Sequence, residues 1–165
     1  MSPEAARAGT RAGRVLAASA LLAACAAAAP RDAGDAEHPF ETLLAATHSG
    51  LAEPRREVVR EVAGWSRLWA DIHAGVSPAP PRPPVDFERD MLVVVASGTR
   101  PSGGFSIKVR HVATRGGKLE VVVLETCPAR DAMVTTELTQ PVEVVRLPRR
   151  AEPVAFQEAR AGPCR

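Results

Sequence analysis

The chain has 165 residues, room for one domain, with 45% apolar and 24% charged residues. That is the composition of an ordinary globular protein and excludes a fibrous or largely disordered chain. Its formal net charge is only +2, with no Lys/Arg cluster interleaved with aromatics, which excludes nucleic acid as a partner on electrostatic grounds.

The first 24 residues differ from the rest. Arg7, Arg11 and Arg14 precede an apolar run from Val15 to Ala24. Ten residues rise about 15 Å as a helix, half of a bilayer core, so the segment reads as an export signal and not as a span. It ends in Leu-Ala-Ala-Cys, Leu22 to Cys25, which resembles a bacterial lipobox. The expectation is cleavage after residue 24, acylation of Cys25 and anchoring of the mature chain to the cell envelope by its lipid. A plain Ala-rich signal with an incidental cysteine is the alternative. Ala26 is not the aspartate that retains many lipoproteins in the inner membrane, which points to the outer membrane, periplasmic or surface face. Removing residues 1–24 takes away three arginines and one glutamate, leaving 18 basic and 18 acidic residues.

Residues 25–39 lack periodicity and read as a tether, with one domain over residues 40–165. Phe40 to Leu51 offers a first strand and Arg56 to Arg60 a second. Val58, Val62, Trp65, Trp69 and Ile72 then recur at helical spacing, predicting an amphipathic helix that ends near Gly75. Trp65 and Trp69 read as core residues, with an aromatic ligand platform as the alternative. Ser77 to Pro84 holds five prolines in eight residues and must be an extended surface connection. Met91 to Ser97 is an unbroken apolar run, as in a strand covered on both faces. Phe105 to Val109 alternates, Arg115-Gly116-Gly117-Lys118 signals a hairpin, and Leu119 to Glu125 continues it. Met133 to Gln140, Val142 to Pro148 and Pro153 to Phe156 read as further strands. The expected fold class is α+β: six to eight mostly antiparallel strands with one packed helix. Arg146, Arg149 and Arg150 read as a solvated edge that discourages strand addition, with an anion-binding patch as the alternative.

With Cys25 used for lipid, export leaves Cys127 and Cys164 in an oxidising compartment, which favours one disulfide. Two free thiols or a metal pair are the alternatives, and two cysteines without nearby histidines make poor zinc ligands.

The chemical motifs fail one by one. Gly98 and Gly103 have the spacing of a phosphate loop, but Gly104 and Phe105 stand where lysine and Ser/Thr are needed, and a strand follows in place of a helix. His48, Asp71 and Ser102 occur in the order of a serine-protease triad, yet about 140 residues cannot build that fold. The four histidines, His38, His48, His73 and His111, have no ligand spacing. The expectation is therefore a protein with no catalytic residues, no metal and no cofactor.

One stretch carries a resemblance. The sequence from Ser97 to Val109, the hairpin after it, and Cys127 to Pro148 with Thr139-Gln140-Pro141 before a Val-rich strand resemble the C-terminal domain of the PrcB family over residues 86–156. Trp65 and Trp69 are similar to the Trp-x-x-x-Trp helix often found ahead of it. Phe105 stands where tyrosine is common, and Cys127 lies earlier than the cysteine of relatives, so its pairing is not carried over from them. The resemblance implies a lipoprotein subunit that supports a secreted or surface protease without being the hydrolase. Gly98, Arg100, Pro101, Ser102, Gly103, Gly104 and Phe105 are the candidate partner-binding loop. A binding module for a small ligand or an envelope peptide or glycan is the second reading.

Overall fold

The structure, a computed structural model, describes residues 36–164. The export signal, Cys25 and most of the tether lie outside the described residues. The elements run β1 (Ala36–Glu37), β2 (Glu41–Ala46), β3 (Pro54–Val59), α1 (Val62–Ile72), β4 (Asp90–Ser97), β5 (Ser106–Arg115), β6 (Lys118–Thr126), β7 (Val142–Pro148) and β8 (Val154–Ala161). They form two four-stranded sheets, β1-β5-β6-β8 and β2-β7-β4-β3. All pairings are antiparallel except β6 with β8. This is the α+β class expected, with the strands divided between two sheets.

The apolar run of β4 explains the layering. Leu92, Val94 and Ala96 face α1, while Met91, Val93 and Val95 face the other sheet, and all six are fully buried. β4 is thus the middle of three layers, with α1 on one side and the β5–β6 hairpin on the other. Truncating Met91 or Leu92 to alanine at such a position costs about 2–5 kcal/mol.

The helix begins later than the spacing predicts. Val58 and Val59 belong to β3, paired with Val93 and Leu92, and Glu61 is the extended cap residue before Val62. Six residues of ladder hold that segment as a strand, so tertiary pairing overrides the helical phase. The buried stripe is Trp65, Leu68, Trp69 and Ile72, and Val62 is exposed. The two indoles meet edge to face, 5.1 Å between centroids. Their N–H groups donate to Pro83 O and Pro80 O, at 3.0 and 2.9 Å. The proline-rich connection is thus a strap across the helix, satisfying donors that burial would otherwise leave unpaired. Both tryptophans are core residues, not a ligand platform.

Three further expectations need correction. Residues 133–140 form no strand; Thr139 alone makes a bridge, to Arg100, and the rest is loop. β8 continues to Ala161 and lies parallel to β6, longer than the edge expected at 153–156. The last residues of the supposed tether are docked: Ala36 and Glu37 pair with Thr114 and Ala113, and His38 N donates to Val112 O at 2.8 Å. His38 is buried there, its Nε2 2.7 Å from Thr114 Oγ1.

The sandwich has two ends. At the hairpin end lie Gly116–Gly117, the start of β4, the end of β7 and Ala36, where the preceding chain joins the domain. At the opposite end lie the loop after β4, the loop between β6 and β7, and the close of β8.

Candidate functional site at the glycine-loop end

The candidate loop is shaped by backbone contacts to its neighbours. Gly98 leaves β4 at φ +73°, and a Cβ there would sit 2.8 Å from Pro54 and 2.9 Å from Ala52 O. Thr99 N and Oγ1 both donate to Ala52 O. Arg100 exchanges both backbone hydrogen bonds with Thr139, at 2.7 and 3.0 Å. Thr139 is fully buried, and its hydroxyl donates to Ser102 O at 2.8 Å. Gly103 N donates to Thr135 O, and a Cβ on Gly103 would lie 2.5 Å from Thr135 Oγ1. Gly104, at φ +82°, backs onto Val134 and Pro128. The loop and residues 128–139 therefore form one interlocked unit, and glycine is required by close approach.

Charge reinforces this unit. The Arg100 guanidinium pairs with Glu125 on β6, which is buried, and lies 5.9 Å from the centre of the Phe105 ring. Arg160 reaches the other Glu125 oxygen at 3.8 Å. Deeper in, Glu143 on β7 accepts from Val109 N at 2.6 Å and from Thr42 Oγ1 at 3.1 Å. Val109 lies at the bulge in β5, where the ladder to β6 is interrupted, and the carboxylate takes the place of a strand partner. Neither glutamate carried a sequence signal, because each is defined by a partner far along the chain.

No triad assembles. Ser102 Oγ donates to Gly103 O, Asp71 accepts from Arg55 at 3.1 Å, and His48 lies 3.6 Å from Glu137. His111 pairs with Glu37 at 3.0 Å, and His73 is bonded to Trp69 O.

Cys127 and Cys164 are joined by a disulfide, Cα to Cα 5.3 Å. It pins the end of β8 to the end of β6, beside the Cys127 N to Ala161 O bond of 2.9 Å. A shallow cleft of about 430 Å³ opens there, lined by Phe105, Cys127, Pro128, Arg130, Pro163 and Cys164. Phe105 is half-buried and also borders a second groove, of about 190 Å³, with Ala45 to Thr47 and Pro141.

This end holds two large apolar side chains outward among exposed polar ones. Met133 is wholly exposed and Leu138 is 61% exposed, both on the loop that braces the glycines. Sequence reasoning placed them in a strand, because Thr and Val raise strand propensity there. The better signal was the pair of prolines, Pro128 and Pro141, bounding the segment.

Comparison with the curated proteins and with the solved structures returned no match. Residues 91–148, from β4 through β7 with the glycine loop and the loop that braces it, match the family model described as PrcB C-terminal.

Proposed function

We propose that this protein is a noncatalytic domain of the bacterial envelope, lipid-anchored at Cys25, that holds a partner protein at its glycine-loop end. The family match supports an accessory role in a protease complex, and a secreted or surface protease is the partner proposed. The observation that carries the reading is the exposure of Met133 and Leu138 on a braced loop. Large apolar side chains held out on a rigid support are what a protein interface uses as anchors. They lie at the end opposite Ala36, so a chain tethered through its N-terminus would present them away from its attachment.

Photo-crosslinking in the native host tests this. A crosslinker at Met133 or Leu138 should capture one discrete protein, while the same group at Lys118 on the hairpin should not. Equal capture from both ends, or none from either, would sink the proposal. With the crosslinker moved to exposed Thr136, aspartate at Met133 and Leu138 should abolish capture and leave the thermal midpoint nearly unchanged, since both side chains are mostly in water.

The cleft beside Phe105 favours a second reading, a binding module for a small ligand or an envelope peptide or glycan. Thermal stabilisation by muropeptides, lost on Phe105→Ala, would support it.

A further inference from the structure

The hairpin end carries a cavity of about 510 Å³ lined by Arg60, Glu88, Arg89, Arg149, Arg150 and Ala151. Four arginines and one glutamate thus line it. Among the described residues none of the four arginines forms an ion pair with a carboxylate, whereas Arg55, Arg56, Arg100 and Arg146 all do. The chain has as many acidic groups as basic ones once residues 1–24 are set aside, so this local surplus is a matter of placement.

Two of the four are fixed by the fold. Arg149 Nη1 donates to Phe87 O at 2.6 Å and to Arg60 O at 3.0 Å, which holds its fork in place and leaves other N–H groups unused. Arg149 N donates to Arg89 O, tying the two arginine-bearing segments together. Arg150 Nη2 donates to His38 Nδ1 at 2.9 Å, while its Nε is buried without a partner.

We propose that the Arg60, Arg89, Arg149 and Arg150 cavity binds phosphate groups. Planar guanidinium forks match phosphate oxygens in pairs, and a site with four of them and one carboxylate selects a multiply charged oxyanion over a carboxylate. Ala36 joins the domain at this end, so in a chain anchored by its N-terminus the phosphates nearest to hand are lipid headgroups. A soluble phosphoester is the other source. The site lies at the opposite end from the proposed partner surface and stands or falls independently of it.

The test uses the mature chain, residues 25–165, with Cys25→Ser, so that neither a lipid nor the basic, apolar export segment contributes to binding. Titration with inorganic phosphate, followed by NMR, should shift the signals of Arg60, Arg89, Arg149 and Arg150 first. The same chain should bind vesicles of phosphatidylglycerol in phosphatidylcholine but not phosphatidylcholine alone. Adding R60Q and R89Q, which remove no hydrogen bond made by either side chain, should lower vesicle affinity on the order of thirtyfold at unchanged thermal midpoint. R82Q with R130Q removes equal charge elsewhere and should leave binding nearly unchanged. A phosphate response without vesicle binding assigns the site to a soluble phosphoester. Phosphate shifts spread over the surface, or an equal loss in the R82Q/R130Q chain, would overturn the proposal.

Discussion

Arg56 on β3 holds Glu158 on β8 by two parallel hydrogen bonds, 2.8 Å from Nε and 2.9 Å from Nη2. The same guanidinium donates through Nη1 to Ala96 O and Arg55 O, so one side chain ties an edge of each sheet to the other. The hydrogen bond from Arg56 holds the Glu158 carboxyl below the usual glutamate range; the charges of Arg56 and Arg160 help, and partial burial opposes. A lowered carboxyl favours folding above the unfolded value of about 4.5, and that contribution is lost as pH falls through the folded value. Glu158→Gln should therefore be less stable than wild type near neutrality by a few tenths to about 1 kcal/mol, the scale of half-exposed pairs. The gap should close in acid. Parallel urea titrations at neutral and acid pH check this, and a gap that widened in acid would contradict it.

His38 should act in a higher pH range. Its Nδ1 faces the Arg150 donor and its Nε2 faces Thr114 Oγ1, an arrangement that suits the neutral ring. Burial chiefly, then the charge of Arg150, lowers its pKa from 6.5, with Glu152 opposing. The unfolded chain thus takes up the proton first. Stability from this site is complete above about pH 6.5 and declines as pH falls toward the folded value. The protection factor of the His38 amide, bonded to Val112 O, should fall over that interval in wild type and remain flat in His38→Gln.

The disulfide closes a separation of 37 residues. Cys127→Ala/Cys164→Ala should lose about 3–4 kcal/mol, the chain-entropy value for such a loop. Exchange protection should fall first at Ala159 to Ala161, next to the bond. Uniform loss of protection across β4 and β7 would show that β8 is not a separable edge.

Glycine substitutions separate backbone strain from crowding. Gly75 and Gly98 both have positive φ, +86° and +73°, but a Cβ at Gly75 meets nothing within 4 Å while one at Gly98 strikes Pro54 and Ala52. Gly75→Ala should cost about 1–2 kcal/mol from strain alone. Gly98→Ala should cost clearly more and displace the loop, read as altered Thr99 and Arg100 amide shifts. Equal costs would mean the loop yields freely.

The parts of the fold legible in the sequence were those set by local pattern. The β4 run announced a strand covered on both faces, Trp65 and Trp69 announced the helix, and Gly116–Gly117 announced the hairpin. What stayed hidden depends on distant partners. Val58 follows the helical phase but is claimed by Val93, and Met133 to Gln140 has strand propensity but loses its ladder to the glycine loop. β8 reads as a short edge because Gln157, Glu158 and Arg160 break its apolar pattern, and its parallel partner β6 lies beyond an intervening strand of the other sheet. The glycine loop was legible as shape: Gly104 and Phe105, standing where lysine and Ser/Thr are needed, excluded a phosphate grip, and Gly98 and Gly103 do sit where side chains would collide. The arginine cavity was only half legible, since Arg149 and Arg150 adjoin in sequence while Arg60 and Arg89 arrive from other elements.

The parallel pairing of β8 with β6 has a consequence for the order of assembly. After β6 the chain must cross to the other sheet, lay down β7 between β2 and β4, and return before β8 can dock. Cys164 follows every strand of the described residues, so its bond to Cys127 can form only once all of them have been synthesised. A chain emerging from its N-terminus carries Cys127 as a lone thiol through all of that interval, open to mixed disulfides with other thiols. The bond to Cys164 is in effect a seal that marks a finished domain, and chains stopped short of β8 would be recognisable by the thiol they still expose.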